Sequence, residues 1–208
     1  MAQMKTDEHT EDCQQQESYC EQAEEPVFDW KKIGLFLLVS TALYLSISWI
    51  GGLDERYFIK GAEAVECGRF EEGVEYFHKS ARMGGEEALY ALGRCYLEGI
   101  GAQKDTVEGM RLIMESVDEA YADAQYFLAQ CYYYGLYVEM DKEQAVKYLA
   151  YASRQKHPDA QCALGVCYLN GEGVEKDAKK AYQCFADAKK NGSTQADSLL
   201  RLLAGRDL

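Results

Sequence analysis

The chain has 208 residues, 35 acidic and 22 basic side chains, a formal charge of −13 and 48% apolar residues. Balanced apolar and charged content excludes wholesale disorder, and the excess of acid excludes nucleic acid as a main partner, because phosphate binding needs a basic face. Eight cysteines scattered over this length do not make a disulfide scaffold.

In chain order the sequence divides into three unlike parts. Residues 1–32 carry nine acids against three lysines. With so few apolar groups they cannot bury enough surface to offset chain entropy, and they read as an acidic disordered tail. Residues 33–53 hold no charged residue over 21 positions, and eleven of them are Ile, Leu, Phe or Val. Each such residue favours insertion by about 0.3–0.6 kcal/mol near a bilayer centre. Trp30 and Trp49 lie 19 positions apart, about 28 Å along a helix, close to the hydrocarbon thickness. This pattern predicts a single transmembrane helix over 33–53 in contact with the lipid bilayer, ended by Gly51-Gly52. Lys31 and Lys32 on one side face Arg56 and Lys60 on the other, which favours a cytoplasmic N-terminus and an extracytoplasmic domain beyond the span.

The third part, residues 54–208, is periodic. Residues 86–121, 122–157 and 158–193 are three blocks of 36 that match at nine equivalent positions. The matches include Ala88/Ala124/Ala160, Leu92/Leu128/Leu164, Cys95/Cys131/Cys167, Tyr96/Tyr132/Tyr168, Gly99/Gly135/Gly171 and Asp105/Asp141/Asp177. A period of tens of residues signals a stacked repeat. Ala, Leu, Cys and Tyr at relative positions 3, 7, 10 and 11 share one face of a first helix. A glycine-containing loop follows, and Asp177 stands where an N-cap would satisfy the free amides of a second helix. Ala181, Phe185 and Ala188 continue at helical spacing along the inward face of that helix. Each block is therefore a helical hairpin that gains a core only by stacking. Gly73, Phe77, Ser80 and Gly84 extend the period backwards, so residues 54–85 form a degenerate first hairpin with a shorter loop. Residues 194–204 supply a capping helix with Leu199, Leu200, Leu202 and Leu203. The expected fold is all-α: an α-solenoid of helix-turn-helix repeats with nine helices after a transmembrane span.

The strings Ala88 to Asp105 and Ala163-Leu164-Gly165-Val166-Cys167-Tyr168-Leu169-Asn170-Gly171-Glu172-Gly173-Val174-Glu175-Lys176-Asp177 resemble Sel-one-like repeats (SLR), the longer-loop relatives of tetratricopeptide repeats. The resemblance covers residues 54–204. The second block departs from it, with Ala129 and Tyr137 in place of glycines, so its loop is expected to take a different shape. The resemblance implies a scaffold for protein–protein interaction and no catalytic residues. In some secreted relatives cysteines staple adjacent hairpins; Lys189 and Gln161 stand near those places here, so the stapling does not carry over.

Motifs for other chemistries are missing. The Gly-x-Gly pairs at 99/101 and 171/173 lack the Gly-Lys-Ser/Thr ending of a phosphate loop. His9, His78 and His157 fall in different units, and no metal or other cofactor is expected. Cys95, Cys131 and Cys167 occupy an inward position as small hydrophobes, while Cys13 and Cys20 in the tail read as free thiols. Asn191-Gly192-Ser193 matches both a glycosylation acceptor and a short turn.

The resemblance also implies a concave groove lined by first-helix positions 2, 5, 9, 12 and 13. These are Glu87, Tyr90, Arg94, Leu97 and Glu98 in the first block; Asp123, Tyr126, Gln130, Tyr133 and Tyr134 in the second; and Asp159, Cys162, Val166, Leu169 and Asn170 in the third. Tyr134 stands where the other blocks place Glu98 and Asn170. A tyrosine cluster rimmed by acids suits a protein or peptide partner, although Tyr126 and Tyr133 could equally pack against adjacent helices. The sequence thus points to a membrane-anchored, non-enzymatic adaptor. The alternatives are a membrane regulator acting through its acidic tail and a cell-envelope enzyme.

Overall fold

The computed structural model describes residues 52–204. Nine helices occur among these residues: α1 (Leu53–Glu66), α2 (Phe70–Ala81), α3 (Glu86–Glu98), α4 (Thr106–Asp118), α5 (Ala122–Tyr134), α6 (Lys142–Arg154), α7 (Pro158–Asn170), α8 (Ala178–Lys190) and α9 (Ala196–Ala204). They form four consecutive hairpins closed by α9, and helix contacts run chiefly between chain neighbours, as in a solenoid. The expected acidic tail and the span 33–53 lie outside the described residues, except for Gly52 and Leu53.

The membrane placement requires correction. Among the described residues no helix is long and apolar enough to cross a membrane. Leu53, taken from the sequence as the end of the span, is instead the first residue of α1, an amphipathic helix whose Gly61 and Ala64 are buried. The apolar run of the sequence continues into a helix that also carries Asp54, Glu55, Arg56 and Lys60, a switch that hydropathy does not register. This finding overturns the single-pass placement with a cytoplasmic N-terminus and an extracytoplasmic repeat domain.

Both ends of each full hairpin follow the repeat. The amides of Asp105, Asp141 and Asp177 each donate to a tyrosine carbonyl, those of Tyr96, Tyr132 and Tyr168, at 2.9 Å. Their carboxylates accept from the second and third amides of α4, α6 and α8 at 3.0 Å, which satisfies donors that would otherwise be orphaned. The second helices end in left-handed residues, Gly84, Ala120, Lys156 and Gly192. There the following amide reaches back to the carbonyl of Ser80, Ser116, Ala152 or Ala188, the pattern of a Schellman motif. The degenerate first hairpin has only Cys67–Arg69 between its helices.

Close crossing of the paired helices builds the core. A Cβ added to Gly61 or Gly165 would lie 2.6 Å from the ring of Phe77 or Phe185, and one on Gly93 would lie 2.7 Å from Ile113. The block with Ala129 at this position faces the smaller Leu149, and the two pack in one cluster. Ala88, Ala124, Ala160 and Ala196 are fully buried one hairpin apart, where small side chains let neighbouring units approach. Phe185 and Ile113 are also fully buried, each worth about 1.5–3 kcal/mol of transfer free energy. At the C-terminal end Leu203 closes the stack over Ala181 and Phe185.

Side-chain amides tie the end of a second helix to the first helix of the same hairpin. Gln155 Nε2 donates to Gln125 Oε1 at 2.9 Å and to the Ala120 carbonyl at 2.7 Å. Asn191 Nδ2 donates to Gln161 Oε1 at 2.9 Å, so the amide of the possible acceptor sequon serves a turn and a packing contact.

The second-block loop differs from its expected shape. Tyr137 adopts φ 62°, close to the 67° of Gly101 and 65° of Gly173, so the backbone turn is retained despite the side chain. At Gly101 and Gly173 a Cβ would approach the carbonyls of Phe70 and Lys142 to 2.2 and 2.1 Å, because those loops rest on the preceding unit. Tyr137 is half exposed, and contacts between α4 and α5 are sparser than at the junctions on either side.

The Gly165 crossing supports a direct test. Gly165→Ala is expected to destabilise the chain by about 1–3 kcal/mol through overpacking against Phe185, read as a lower urea midpoint. Adding Phe185→Leu, which reproduces the Ala129/Leu149 pair, should recover most of the loss; additive losses would show that the crossing is not the cause.

Candidate functional site

The first helices of the second and third blocks, α5 and α7, frame an open cleft of about 190 Å³. Its lining brings together five residues of the expected groove, Tyr126, Gln130, Tyr133, Tyr134 and Val166, with Ala129, Leu149, Ala163 and Cys167. Helical geometry makes this possible: Tyr126, Gln130 and Tyr133 recur at four- and three-residue spacing and share one side of α5. Leu149 reaches the cleft from α6 behind them.

The three tyrosines have different environments. Tyr126 is half-buried and lies against His157, with ring centroids 4.7 Å apart. His157 Nδ1 accepts from the Ala160 amide at 3.1 Å, and Nε2 lies 2.8 Å from Asp123. The ring is thus a neutral tautomer that caps α7 and donates to the carboxylate. Tyr133 donates its hydroxyl to Glu172, and the Lys142 ammonium sits over its ring, 5.1 Å from the centroid. Lys142 also pairs with Glu172 at 3.5 Å. The bond to Glu172 is the main reason that the Tyr133 hydroxyl is pushed up to about 12, and the same bond holds the Glu172 carboxyl below its usual range. Tyr134 packs edge-on to Tyr133 with centroids 4.9 Å apart, yet it stays 65% exposed.

The remaining expected groove residues lie outside this cleft. On α3, Arg94 bonds the carboxylate of Glu98 and, at 3.2 Å, the Tyr90 hydroxyl. Its guanidinium also sits 5.2 Å from the centroid of Phe127 on α5. Tyr90 is half-buried against Tyr121 and Phe127. Glu87 and Asn170 are exposed, and Asp123 accepts from the Tyr121 hydroxyl at 2.8 Å. Two positions do not line a groove at all. Leu97 is buried with Met110, Ile113, Leu128 and Cys131, because Gly109 behind it leaves room that Ala145 and Ala181 take up in the later hairpins. Cys162 is buried against Ala188 and Ala196.

Sequence reasoning missed Glu172, Lys142 and His157. The contact between Tyr133 and Glu172 spans 39 residues, one 36-residue period plus three, so period arithmetic offered a signal for it. The thiols are structural: burial pushes Cys131 and Cys167 up to about 11. Among the described residues no group of three or more His, Cys, Asp or Glu could hold a metal ion.

Stacked helical hairpins with αL loop glycines and aspartate caps define an SLR-type α-solenoid. The Sel1 repeat family matches residues 70–85, 86–113, 122–157 and 158–193, more than half of the chain. The chain belongs to the Sel1 repeat family. No curated protein matches its sequence. Among solved structures it is similar to a Sel1 repeat protein from Oxalobacter formigenes, at 21% identity and a TM-score of 0.67, over 76% of this chain and 66% of that one. It is also similar to c5321, a protective antigen of uropathogenic Escherichia coli strains displaying an SLR fold. That match has 23% identity and a TM-score of 0.68, over 85% of this chain and 37% of the other. The chain therefore spans less than two thirds of either protein's length, and at these identities the likeness shows the fold.

The Tyr133–Glu172 bond predicts a titration signature. In a spectrophotometric titration, the hydroxyl missing from Tyr133→Phe should ionise near 12 and move down toward about 10 in Glu172→Gln. Because the folded value is raised, the stability from Tyr133 is fully present below about pH 10 and is lost as pH rises through the folded value. The lowered carboxyl of Glu172 contributes above about pH 4.3, and that part is lost as pH falls through its folded value.

Proposed function

We propose that this Sel1-repeat solenoid is a non-catalytic scaffold or adaptor that holds a protein or peptide partner on the concave face formed by its first helices. Tyr126, Tyr133 and Tyr134 are the anchors, and Gln130 and Val166 complete the seat. The observation that carries this reading is Tyr134, a large aromatic side chain 65% exposed at the mouth of an open cleft. Tyrosine offers a wide amphipathic contact area at low entropy cost and is enriched at interfaces. Tyr133 is held by Glu172 and Lys142, so part of the seat is organised before a partner arrives, which lowers the cost of binding. The upper group of Glu87, Tyr90, Arg94, Glu98 and Asp123 continues the same face, with Asn170 at its far edge.

A photocrosslinking amino acid at position 134 tests this reading. It should give a crosslinked partner, whereas the same group at Tyr182, which is exposed on the second helix α8, should not. Tyr134→Ala should abolish capture with helical content unchanged. Equal crosslinking at 134 and 182, or undiminished capture by Tyr134→Ala, would remove the face from the proposal.

A further inference from the structure

The face that carries the tyrosine cleft also carries a file of acids. Gly61, Gly93 and Gly165 make the same close crossing with their second helices, and Ala129 holds the equivalent place against Leu149, so the four first helices share one register. In that register Glu55, Glu87, Asp123 and Asp159 are equivalent, each standing six residues before its crossing position and in the first turn of its helix. The helix dipole favours acids there, which accounts for their presence and leaves their outward charge uncancelled. No lysine or arginine bonds or pairs with Glu87 or Asp159 among the described contacts, and the partners of Asp123 are a neutral imidazole and a phenol. The one guanidinium at a groove position, Arg94, is taken by Glu98.

At the α1 end of the file the acids close around a second cleft of about 210 Å³. Among the described residues Asp54, Glu55, Glu86 and Glu87 line it with the Phe58 ring, and no cation does. Asp54 Oδ1 is buried there without a hydrogen-bond partner, a costly state for a carboxylate oxygen unless a donor arrives. The carboxyl of Glu87 is raised by burial and then by Glu86, Glu55, Asp123 and Asp54, so acids on three successive first helices act on one another. The first repeat block has eight acids and three bases, whereas the second and third are each balanced. Among the described residues, the first-helix face thus combines the apolar tyrosine cleft with a file of acids that no lysine or arginine neutralises.

We infer that the partner seated on this face is a basic peptide segment, with an aromatic or aliphatic residue in the Tyr126–Tyr133–Tyr134 cleft and Lys or Arg side chains along Glu55, Glu87, Asp123 and Asp159. The inference rests on the docking reading of the first-helix face and adds the chemistry of the occupant. Charge complementarity selects the partner and speeds encounter, and the cleft supplies the desolvated anchor that holds it. A basic side chain entering the α1 cleft would meet Glu55, Glu86 and Glu87 and place its cation by the Phe58 ring, where the aromatic face attracts it.

A library of random dodecamer peptides displayed on phage, panned in parallel on the full chain and on its Tyr134→Ala variant, tests this directly. Peptides enriched on the full chain over the variant should carry a net positive charge and an aromatic or aliphatic residue. The Kd of a synthetic representative should rise roughly tenfold between low and moderately high salt, as screening of exposed charges requires. It should rise several-fold again in Glu87→Gln/Asp159→Asn, whose side chains make no hydrogen bond or ion pair that the fold uses. Enriched peptides that are neutral or acidic, or a Kd unmoved by salt and by the double variant, would overturn the basic-partner inference while leaving the docking face standing. No enrichment over Tyr134→Ala, or a chain that instead dimerises through Tyr134, would overturn the peptide-docking reading itself.

Discussion

Three of the four hairpins depend on a crossing at which the two helices approach too closely for a side chain on one of them, and in the other Ala129 meets the smaller Leu149. Gly61, Gly93 and Gly165 lie against Phe77, Ile113 and Phe185 at distances that leave no room for a Cβ. Such a crossing locks the axial register of the pair, because sliding either helix by one turn would drive a side chain into the space the glycine leaves open. Once the register is set, the aspartate caps and tyrosine carbonyls meet across every full loop. The left-handed residues at the ends of the second helices then turn the chain into the next unit. The stack is a repeated local solution in which each unit completes its core against its neighbours.

The proposed docking face is what this packing leaves over. Positions 3, 7 and 10 of the first helices are consumed by the core, so positions 2, 5, 9, 12 and 13 remain to present chemistry. Small changes behind the face decide what appears on it. Gly109 lets Leu97 sink into the first block, so no apolar seat forms there. In the second block Ala145 fills that space and Tyr133 stays at the surface, where Glu172 and Lys142 hold it. Acids at the first turns and aromatics lower down then give one face two chemistries, a negative strip and an apolar seat.

Much of the fold was legible because the repeat states it several times. Block starts at 86, 122 and 158 coincide with the first residues of α3, α5 and α7, and the caps at Asp105, Asp141 and Asp177 follow from their place before each second helix. The boundary near residue 53 was not legible, since an apolar run and an amphipathic helix share Leu53 and hydropathy averages across the change. The loop at Tyr137 was misjudged because neighbouring caps hold a non-glycine residue in a left-handed turn at a cost of about 1–2 kcal/mol. For the candidate site, an averaged repeat register put the tyrosines on one helix face, and the structure brings them to one cleft. It also counted Leu97 and Cys162 as groove residues, because burial there depends on the volume of side chains one helix away. The partners of Tyr133 and Tyr126 were missed because they come from the next unit's loop and helix cap.

The central claim is that partners dock on the first-helix face and leave the second helices free. Aromatic carbon–proton spectra of the full chain, recorded as a bound peptide is titrated in, test it most directly. The account predicts that the ring signals of Tyr126, Tyr133 and Tyr134 shift together along one binding curve while those of Tyr151 and Tyr182, on α6 and α8, stay in place. Shifts confined to Tyr151 and Tyr182, with the three cleft tyrosines unmoved, would contradict it.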